Sequence, residues 1–240
     1  MCNLYRMNKA TAEVANWFGR SSQLGANFAA EVYPGYPGLV AEGDGVRAMT
    51  WGFPLVLKSK KTGAPLKPKP VNNTREDKLG TGFWRDSFVK RRCLIPVTAW
   101  AEAEGAKGSM TRTWYSLPGQ DLFAVAGVWR PTAEWGEAYS MVMVDGCEQM
   151  ADVHDRMPTI LRREDWSRWT DGTPEEAFAL CRVWDGPLAI GVRSRCRAAM
   201  SVASAVPRLA TSCPLQARHL PAAARLRLSP SGRSLRTVAP

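Results

Sequence analysis

Position two of the sequence holds a cysteine whose chemistry would change if Met1 were removed. Bacterial aminopeptidases remove an initial Met before a small residue, and Cys2 would then carry a thiol and a free α-amine on neighbouring carbons. The amine titrates near about 7.7–8 and the thiol near about 8.5. An aldehyde would form a Schiff base with this amine, and the thiolate would then close a five-membered thiazolidine. Taken alone, a Cys at this position is more often incidental.

Three further segments contain side chains that could take part in chemistry: Pro70-Val-Asn-Asn-Thr-Arg75, Arg92-Cys-Leu-Ile-Pro-Val-Thr-Ala-Trp-Ala-Glu102 and Val153-His-Asp-Arg-Met-Pro158. Together with Met1-Cys2, they resemble the SOS response-associated peptidase (SRAP) family. That family's pattern is Met-Cys, Asn-x-Arg, Cys-Leu-x-Pro-x-x-x-aromatic-x-Glu and His-x-Arg-Met-Pro, in this order. The resemblance covers roughly residues 1–190. It implies that the chain shields abasic sites in single-stranded DNA by covalent DNA–protein crosslinking during the response to DNA damage.

The resemblance also implies a role for each motif residue. Cys2 would attack the ring-opened aldehyde of the abasic sugar. Glu102 would move protons during Schiff-base formation and ring closure, which requires a carboxylate within hydrogen-bond reach of the amine. His154 would promote opening of the sugar ring, and Asn73 would orient the amine or the sugar. No metal or cofactor is implied.

Two neighbouring residues compete for these roles. Glu104 would share a strand face with Glu102, so spacing alone does not separate the two. Asn72 precedes Asn73, and an Asn-Asn pair is also typical of a turn. Only alignment with the family motifs selects Glu102 and Asn73.

Arginines are the expected contacts to the DNA backbone. Arg75 follows Asn73 by two residues and Arg156 follows His154 by two, so extended segments would place each Arg beside its motif neighbour. Guanidinium groups match phosphate with paired hydrogen bonds that read no sequence, which suits a lesion without a base.

The chain differs from many relatives next to the catalytic motifs. Asn3 and Leu4 replace the usual Gly-Arg, and Arg6 is the candidate to supply the missing charge. Ala103 stands where a DNA-packing Trp is common. Trp51, in a Trp-Gly-Phe-Pro segment, or Trp100 is the candidate replacement.

Alternative functions remain open at this point. A cysteine-dependent peptidase could use Cys2 as nucleophile with His154, and could remove Met1 autocatalytically. A single-strand DNA-binding module would need only stacking and Arg contacts. A Schiff base at an abasic sugar also permits β-elimination, which would make the protein an AP lyase.

The elements indicate an α+β fold, a single β-rich domain with a few peripheral helices. Apolar and turn residues predict strands at 48–53, 92–101, 122–129 and 139–144, and a loop at 58–70. Helices are predicted at 9–18, ending at Gly19, and from the N-cap Thr173 to about Arg182.

The catalytic domain is predicted to span residues 2–190, followed by an atypical tail at 191–240. From Arg193 onward the chain has nine Arg and no Asp or Glu, which leaves residues 1–192 with a net charge of about +1 out of +10. The tail is either a disordered basic segment that adds DNA affinity or the product of a frameshift, and we favour the frameshift.

Other features limit the compartment and cofactors. The six Cys show no CxxC spacing and only two His exist, which argues against a zinc site. A disulfide framework is not expected in a cytoplasmic chain of this size. No apolar run is long enough for a membrane span, and the N-terminus lacks the pattern of a signal peptide. We expect a cytoplasmic monomer that joins the bacterial nucleoid when bound to DNA.

Overall fold

The computed structural model describes residues 2–22, 28–106 and 109–191, together with the backbone of residues 194–195. In this part of the chain, strands far outnumber helices, in agreement with the predicted β-rich architecture. The strands are β1 (Tyr5–Arg6), β2 (Ser21–Ser22), β3 (Glu31–Val32), β4 (Pro37–Glu42), β5 (Gly45–Trp51), β6 (Phe53–Leu55), β7 (Lys69–Val71), β8 (Asn73–Arg75), β9 (Arg92–Val97), β10 (Ala99–Glu104), β11 (Thr111–Ser116), β12 (Phe123–Thr132), β13 (Gly136–Asp145), β14 (Arg156–Pro158), β15 (Ile160–Leu161), β16 (Ala189–Ile190) and β17 (Ser194–Arg195). The helices are α1 (Thr11–Phe18), α2 (Arg85–Lys90), α3 (Trp166–Thr170) and α4 (Pro174–Phe178).

Five strands of the larger sheet close into a ring of backbone hydrogen bonds. β4 pairs with β5 and β9, β9 pairs with β12, and β12 pairs with β13. A parallel pairing between β13 and β5 completes the ring. The far half of β13 extends beyond it and pairs with β14 and β8. Closure removes the exposed edges that an open sheet of these strands would present.

The second sheet has the order β16-β11-β10-β1-β3, with β17 also paired to β11. Its register places Tyr5 opposite Trp100, and the N–H of Ala101 donates to the Leu4 carbonyl at 3.0 Å. Continued by two residues, this antiparallel register sets Glu102 beside the Cys2–Asn3 segment.

Large aromatic side chains fill the core of the protein. Trp51, Trp100, Trp169, Tyr5 and Tyr139 are almost completely buried. The hydroxyl of Tyr5 in the second sheet hydrogen-bonds with that of Tyr139 in the ring, which satisfies both polar groups inside an apolar core.

One predicted strand is two strands in the structure. Residues 92–101 were expected to be continuous, but β9 ends at Val97 and β10 begins at Ala99 in the other sheet. Between them, the N–H of Thr98 donates to the Arg6 carbonyl at 2.9 Å, so the chain changes sheets at this residue. The predicted strand at 48–53 is similarly divided, because its last residue, Phe53, belongs to β6.

The helix ends agree only in part with their sequence signals. The first helix ends at Phe18, and Gly19 adopts the left-handed conformation expected of a C-terminal cap, with φ of 66°. Thr173 forms the predicted capping box with Glu176. The helix it begins ends at Phe178 rather than near Arg182, because the N–H groups of Leu180 and Cys181 bond to carbonyls three residues back and tighten the chain.

Two further observations concern the chain as a whole. None of the helices in the described residues has the length and apolar character needed to cross a bilayer. Strand pairing continues to Arg195, five residues past the predicted end of the domain, whereas the rest of the predicted tail lies outside the described residues.

Candidate active site

Cys2 lies three residues before β1, and its side chain is fully buried. Its thiol donates to the Leu4 carbonyl at 3.4 Å. Burial raises the pKa of this thiol well above its usual range, and the negative charge of Glu102 adds to the rise. The thiol is therefore protonated at neutral pH, and its proton must be removed as it reacts.

Two asparagine side chains hold the backbone of Cys2. The Cys2 carbonyl accepts hydrogen bonds from the Nδ2 atoms of Asn72 at 2.8 Å and Asn73 at 2.6 Å. Asn73 is predicted to orient the amine or the sugar, and its amide nitrogen contacts the carbonyl of Cys2, the residue that carries this amine. The spacing of the Asn-x-Arg motif selects only Asn73 and therefore misses Asn72.

The backbone of Asn72 is itself fixed from two sides. Its carbonyl accepts from the indole Nε1 of Trp51 and from the N–H of Met141, both at 2.9 Å. Asn72 lies between β7 and β8 and belongs to neither strand, so strict alternation of side chains does not apply to it. Asn72 and Asn73 can therefore both turn toward Cys2.

Glu102 is the buried carboxyl of the site, with 1% of its surface exposed. Burial raises its pKa to about 7, while the positive charge of the chain's amino terminus acts in the opposite direction. Glu104 lies two residues along β10 and is only partly buried. Its carboxylate accepts from Thr113 at 2.8 Å and Thr111 at 3.4 Å on β11. The buried position belongs to Glu102.

His154 faces this carboxyl from the loop before β14. Its Nε2 lies 3.9 Å from the Glu102 Oε2, and its Nδ1 accepts the Arg156 N–H at 3.0 Å. Because Nδ1 accepts, the neutral ring carries its proton on Nε2, directed toward Glu102. Burial lowers the pKa of His154, and the amino-terminal charge lowers it further. The ring is thus neutral at pH 7.

Arg75 and Arg156 lie on opposite sides of β13. The register pairs Met143 with Arg75 on one side and Asp145 with Arg156 on the other. Arg75 forms an ion pair with Asp77 at 2.9 Å, and Arg156 forms one with Asp145 at 2.6 Å.

The expected extended arrangement holds for only one of these arginines. Asn73 and Arg75 share β8, one buried and the other exposed. His154 precedes β14 and is not part of a strand, so the second half of that prediction is wrong. The backbone of Arg156, rather than its guanidinium, contacts His154.

Two other candidates for DNA contact have roles inside the protein. Trp51 is fully buried, so in this structure it cannot stack on DNA, and its contact is to the Asn72 carbonyl. The same burial excludes Trp100 as a surface replacement. Arg6 stacks on Trp114 at 3.6 Å and pairs with Glu31 at 2.9 Å, which already engages its charge. In its strand β5, Val46, Met49 and Trp51 are buried, whereas the residues between them are only partly buried.

Comparison with known proteins identifies sequences and folds that are similar to this chain. The family model described as SOS response associated peptidase (SRAP) matches residues 1–191. The abasic site processing protein YoqW of Bacillus subtilis, also found in Bacillus phage SPbeta, is 30% identical over 129 residues. YobE of Bacillus subtilis, with the same descriptive name, is 29% identical over 129 residues. These matches cover 50% of this chain and 55–56% of the relatives, so the chain spans about half the length of the curated relatives it matches.

Solved structures show the same fold at low sequence identity. A crystal structure from Bacteroides thetaiotaomicron has a TM-score of 0.64 at 20% identity, covering 79% of this chain and 90% of that one. One from Bordetella bronchiseptica has a TM-score of 0.66 at 19% identity, covering 82% of this chain and all of the other.

Proposed function

Because the chain belongs to the SOS response associated peptidase family, we propose that it processes abasic sites in single-stranded DNA and captures them covalently through Cys2. One observation carries the proposal: the Cys2 carbonyl is held by two asparagines beside a buried carboxyl whose pKa is about 7. The names of the Bacillus relatives support the choice of lesion.

The reaction begins when removal of Met1 frees the Cys2 amine. The amine adds to the aldehyde of the ring-opened sugar, and loss of water leaves a Schiff base. Glu102 gives a proton to the departing hydroxyl, a task that suits a carboxyl titrating near neutral pH. His154, neutral and protonated on Nε2, assists opening of the sugar ring.

Ring closure follows when the Cys2 sulfur adds to the imine carbon. A sulfur–carbon bond forms, the thiol proton passes to the Glu102 carboxylate, and the protonated imine nitrogen keeps its proton as it takes up the electron pair of the C=N bond. Amine, thiol and aldehyde thus give one thiazolidine and one water. The order of steps follows from protonation: a buried neutral thiol is a poor first nucleophile, so the amine reacts first.

The protonation of Cys2 and the contacts of His154 make a peptidase a less suitable function. A thiol protease requires a thiolate, usually generated by a neighbouring His. Here the thiol pKa is raised, Nδ1 of His154 accepts from Arg156, and Nε2 points toward Glu102. A hydrolase with an N-terminal nucleophile can use its α-amine as a base, but it forms no bond between that amine and an aldehyde.

The test is covalent capture of a single-stranded oligonucleotide with one abasic site, read on a denaturing gel. The protein carries any tag at its C-terminus so that Cys2 becomes the first residue. We expect a protein–DNA band for the wild type and for Cys181→Ala, and none for Cys2→Ala. An oligonucleotide with a tetrahydrofuran residue, which has no aldehyde, should give no band.

Blocking the amine separates crosslinking from hydrolysis. Acetylation of the Cys2 α-amine should abolish the band while leaving the thiol intact. Absence of a band from folded wild-type protein with Met1 removed, or a band that survives acetylation, contradicts the proposal. Peptide cleavage that survives acetylation favours the hydrolase instead.

A further inference from the structure

A lysine-rich hairpin projects from the chain directly beside the site. Residues 55–69, here called the lysine arm, contain five lysines that are all exposed: Lys58, Lys60, Lys61, Lys67 and Lys69. The whole stretch from residue 45 to residue 75 has no Asp or Glu. The sequence indicated only a polar loop here.

The arm is an ordered hairpin. At its base β6 pairs antiparallel with β7. Farther out, the N–H of Leu66 donates to the Leu57 carbonyl at 2.7 Å, and the N–H of Ser59 donates to the Ala64 carbonyl at 2.8 Å. Gly63, with φ of 71°, permits the turn at the tip. The lysines are therefore carried on a preorganised support.

The base of the arm is joined to the residues that hold Cys2. β7 ends at Val71, and the next residue is Asn72. On the other strand, Gly52 has φ of 116° and lies so close to Pro70 that a Cβ would stand 2.5 Å from the proline Cβ. Lys69 is three residues from Asn72, about 10 Å along an extended chain. A DNA strand entering the site would pass close to the arm.

The site arginines are already engaged, whereas the arm lysines are not. Arg75 pairs with Asp77, Arg156 with Asp145, and Arg6 with Glu31. Among the described residues, no carboxylate forms an ion pair with an arm lysine. Free, exposed ammonium groups are the ones that exchange counterions for phosphates.

We propose that the lysine arm binds the phosphate backbone of the single strand that flanks the lesion. The inference rests on the proposed function for its choice of strand. Lysine suits this task because an ammonium on a flexible stem contacts phosphate as a point charge, without sequence selectivity. The arm would hold DNA at the site before the covalent step.

The test measures non-covalent binding, so it does not depend on crosslinking. The probe is a fluorescent single-stranded oligonucleotide with one tetrahydrofuran residue, titrated by anisotropy between about 50 and 200 mM salt. The variant Lys60→Gln/Lys61→Gln should reduce the magnitude of the slope of log K against log salt by about 1.4. Each lysine that neutralises one phosphate of a single strand contributes about 0.7 to that slope. Replacing all five lysines by Gln should lower the slope by about 3.5.

The matched control is Arg163→Gln/Arg168→Gln, which removes two exposed charges near α3. It should leave the slope within about 0.3 of the wild type, which is less than half of the effect of one phosphate. Single variants Lys60→Gln and Lys67→Gln, each expected to lower the slope by about 0.7, replace the multiple variant if it does not fold.

Two results would overturn the inference. One is an unchanged slope in folded arm variants. The other is self-association of the protein through the exposed Val56, Leu57 and Leu66. Sedimentation would then show dimers that Leu57→Ser/Leu66→Ser dissociates, and the lysine variants would bind DNA like the wild type. Failure of the wild type to crosslink abasic DNA would overturn the proposed function and leave this slope measurement valid.

Discussion

Burial controls the protonation of the three reactive groups at the site. It raises the pKa of the Cys2 thiol and the Glu102 carboxyl and lowers that of His154, so all three favour their neutral forms. A site with little fixed charge can exchange single protons with an incoming aldehyde. Cys2 is also positioned by the Asn72 and Asn73 amides.

Glu102 predicts a pH dependence of stability. Its pKa is about 7 in the folded protein against 4.5 in the unfolded chain, so the folded state holds more protons between these values. The contribution of Glu102 to stability is therefore fully present below about pH 4.5 and is lost as pH rises to about 7, by on the order of 3 kcal/mol. Urea unfolding at about pH 5 and pH 8 should show this loss in the wild type and not in Glu102→Gln.

Glu104→Gln is the matched control for this measurement. Glu104 lies on the same strand but is only partly buried, so its variant should retain the wild-type pH dependence. The lowered pKa of His154 contributes the opposite slope below about pH 6.5 in every variant, and therefore cancels in the comparison. A Glu102→Gln variant with the full wild-type loss would refute the burial argument.

At the scale of elements, one buried arginine joins two helix ends to a strand. Arg92 begins β9, and only 8% of its surface is exposed. Its guanidinium donates to the carbonyls of Phe88 at 2.8 Å and Val89 at 3.2 Å in α2, and also to those of Trp169, Thr170 and Gly172 at the end of α3. The last carbonyls of a helix lack partners within the helix, and a cation there is favourable.

Arg92→Met should therefore destabilise the protein strongly. It leaves several carbonyls without their donor in a buried position, which costs about 3 kcal/mol or more. The measurement is the free energy of unfolding in urea. Arg168→Met is the comparison, because that side chain is half exposed and its pair with Asp165 should contribute less than about 1 kcal/mol. Equal losses in the two variants would show that the carbonyl contacts do not carry the effect.

At the scale of the molecule, the site forms where the two sheets meet. Glu102 lies in the second sheet and Cys2 lies just before the first strand of that sheet, whereas Asn73 comes from β8, which pairs with β13 of the ring. The packed core lies within residues 2–188. The site side chains in the described residues come from the ring, the second sheet and the segments beside them.

A chain that ends at Arg195 should consequently fold and react like the full chain. This boundary keeps β16 and β17, which pair with β11, and removes seven of the nine tail arginines. We expect a Tm within about 2 °C of the full-length value, which corresponds to less than about 1 kcal/mol. Calorimetry and capture of abasic DNA at saturating protein are the measurements.

Affinity at low salt distinguishes the two interpretations of the tail. A basic tail that binds DNA would make the truncated protein weaker at low salt, and its salt slope would fall by about 0.7 for each phosphate that the tail had neutralised. A frameshifted end would leave affinity unchanged, and resequencing the 3′ end of the gene would identify it. A truncated protein that does not fold would show that the domain boundary is wrong.

Several features of this protein were determined by the sequence alone. Four short motifs in order identify the family, since each is weak but their combination is specific. Local chemistry also places the helix start at Thr173 and the stop at Gly19, because capping depends only on residues within one turn.

Other features depended on the tertiary structure. The division of residues 92–101 between two sheets, the pairing of Asn72 with Cys2 and the burial of Trp51 and Arg92 all arise from contacts between residues far apart in the chain. Residue type shows that a side chain can donate a hydrogen bond or stack on a base. Whether it faces DNA or the core is decided by packing, since burial and pKa depend on every neighbour brought together by the fold.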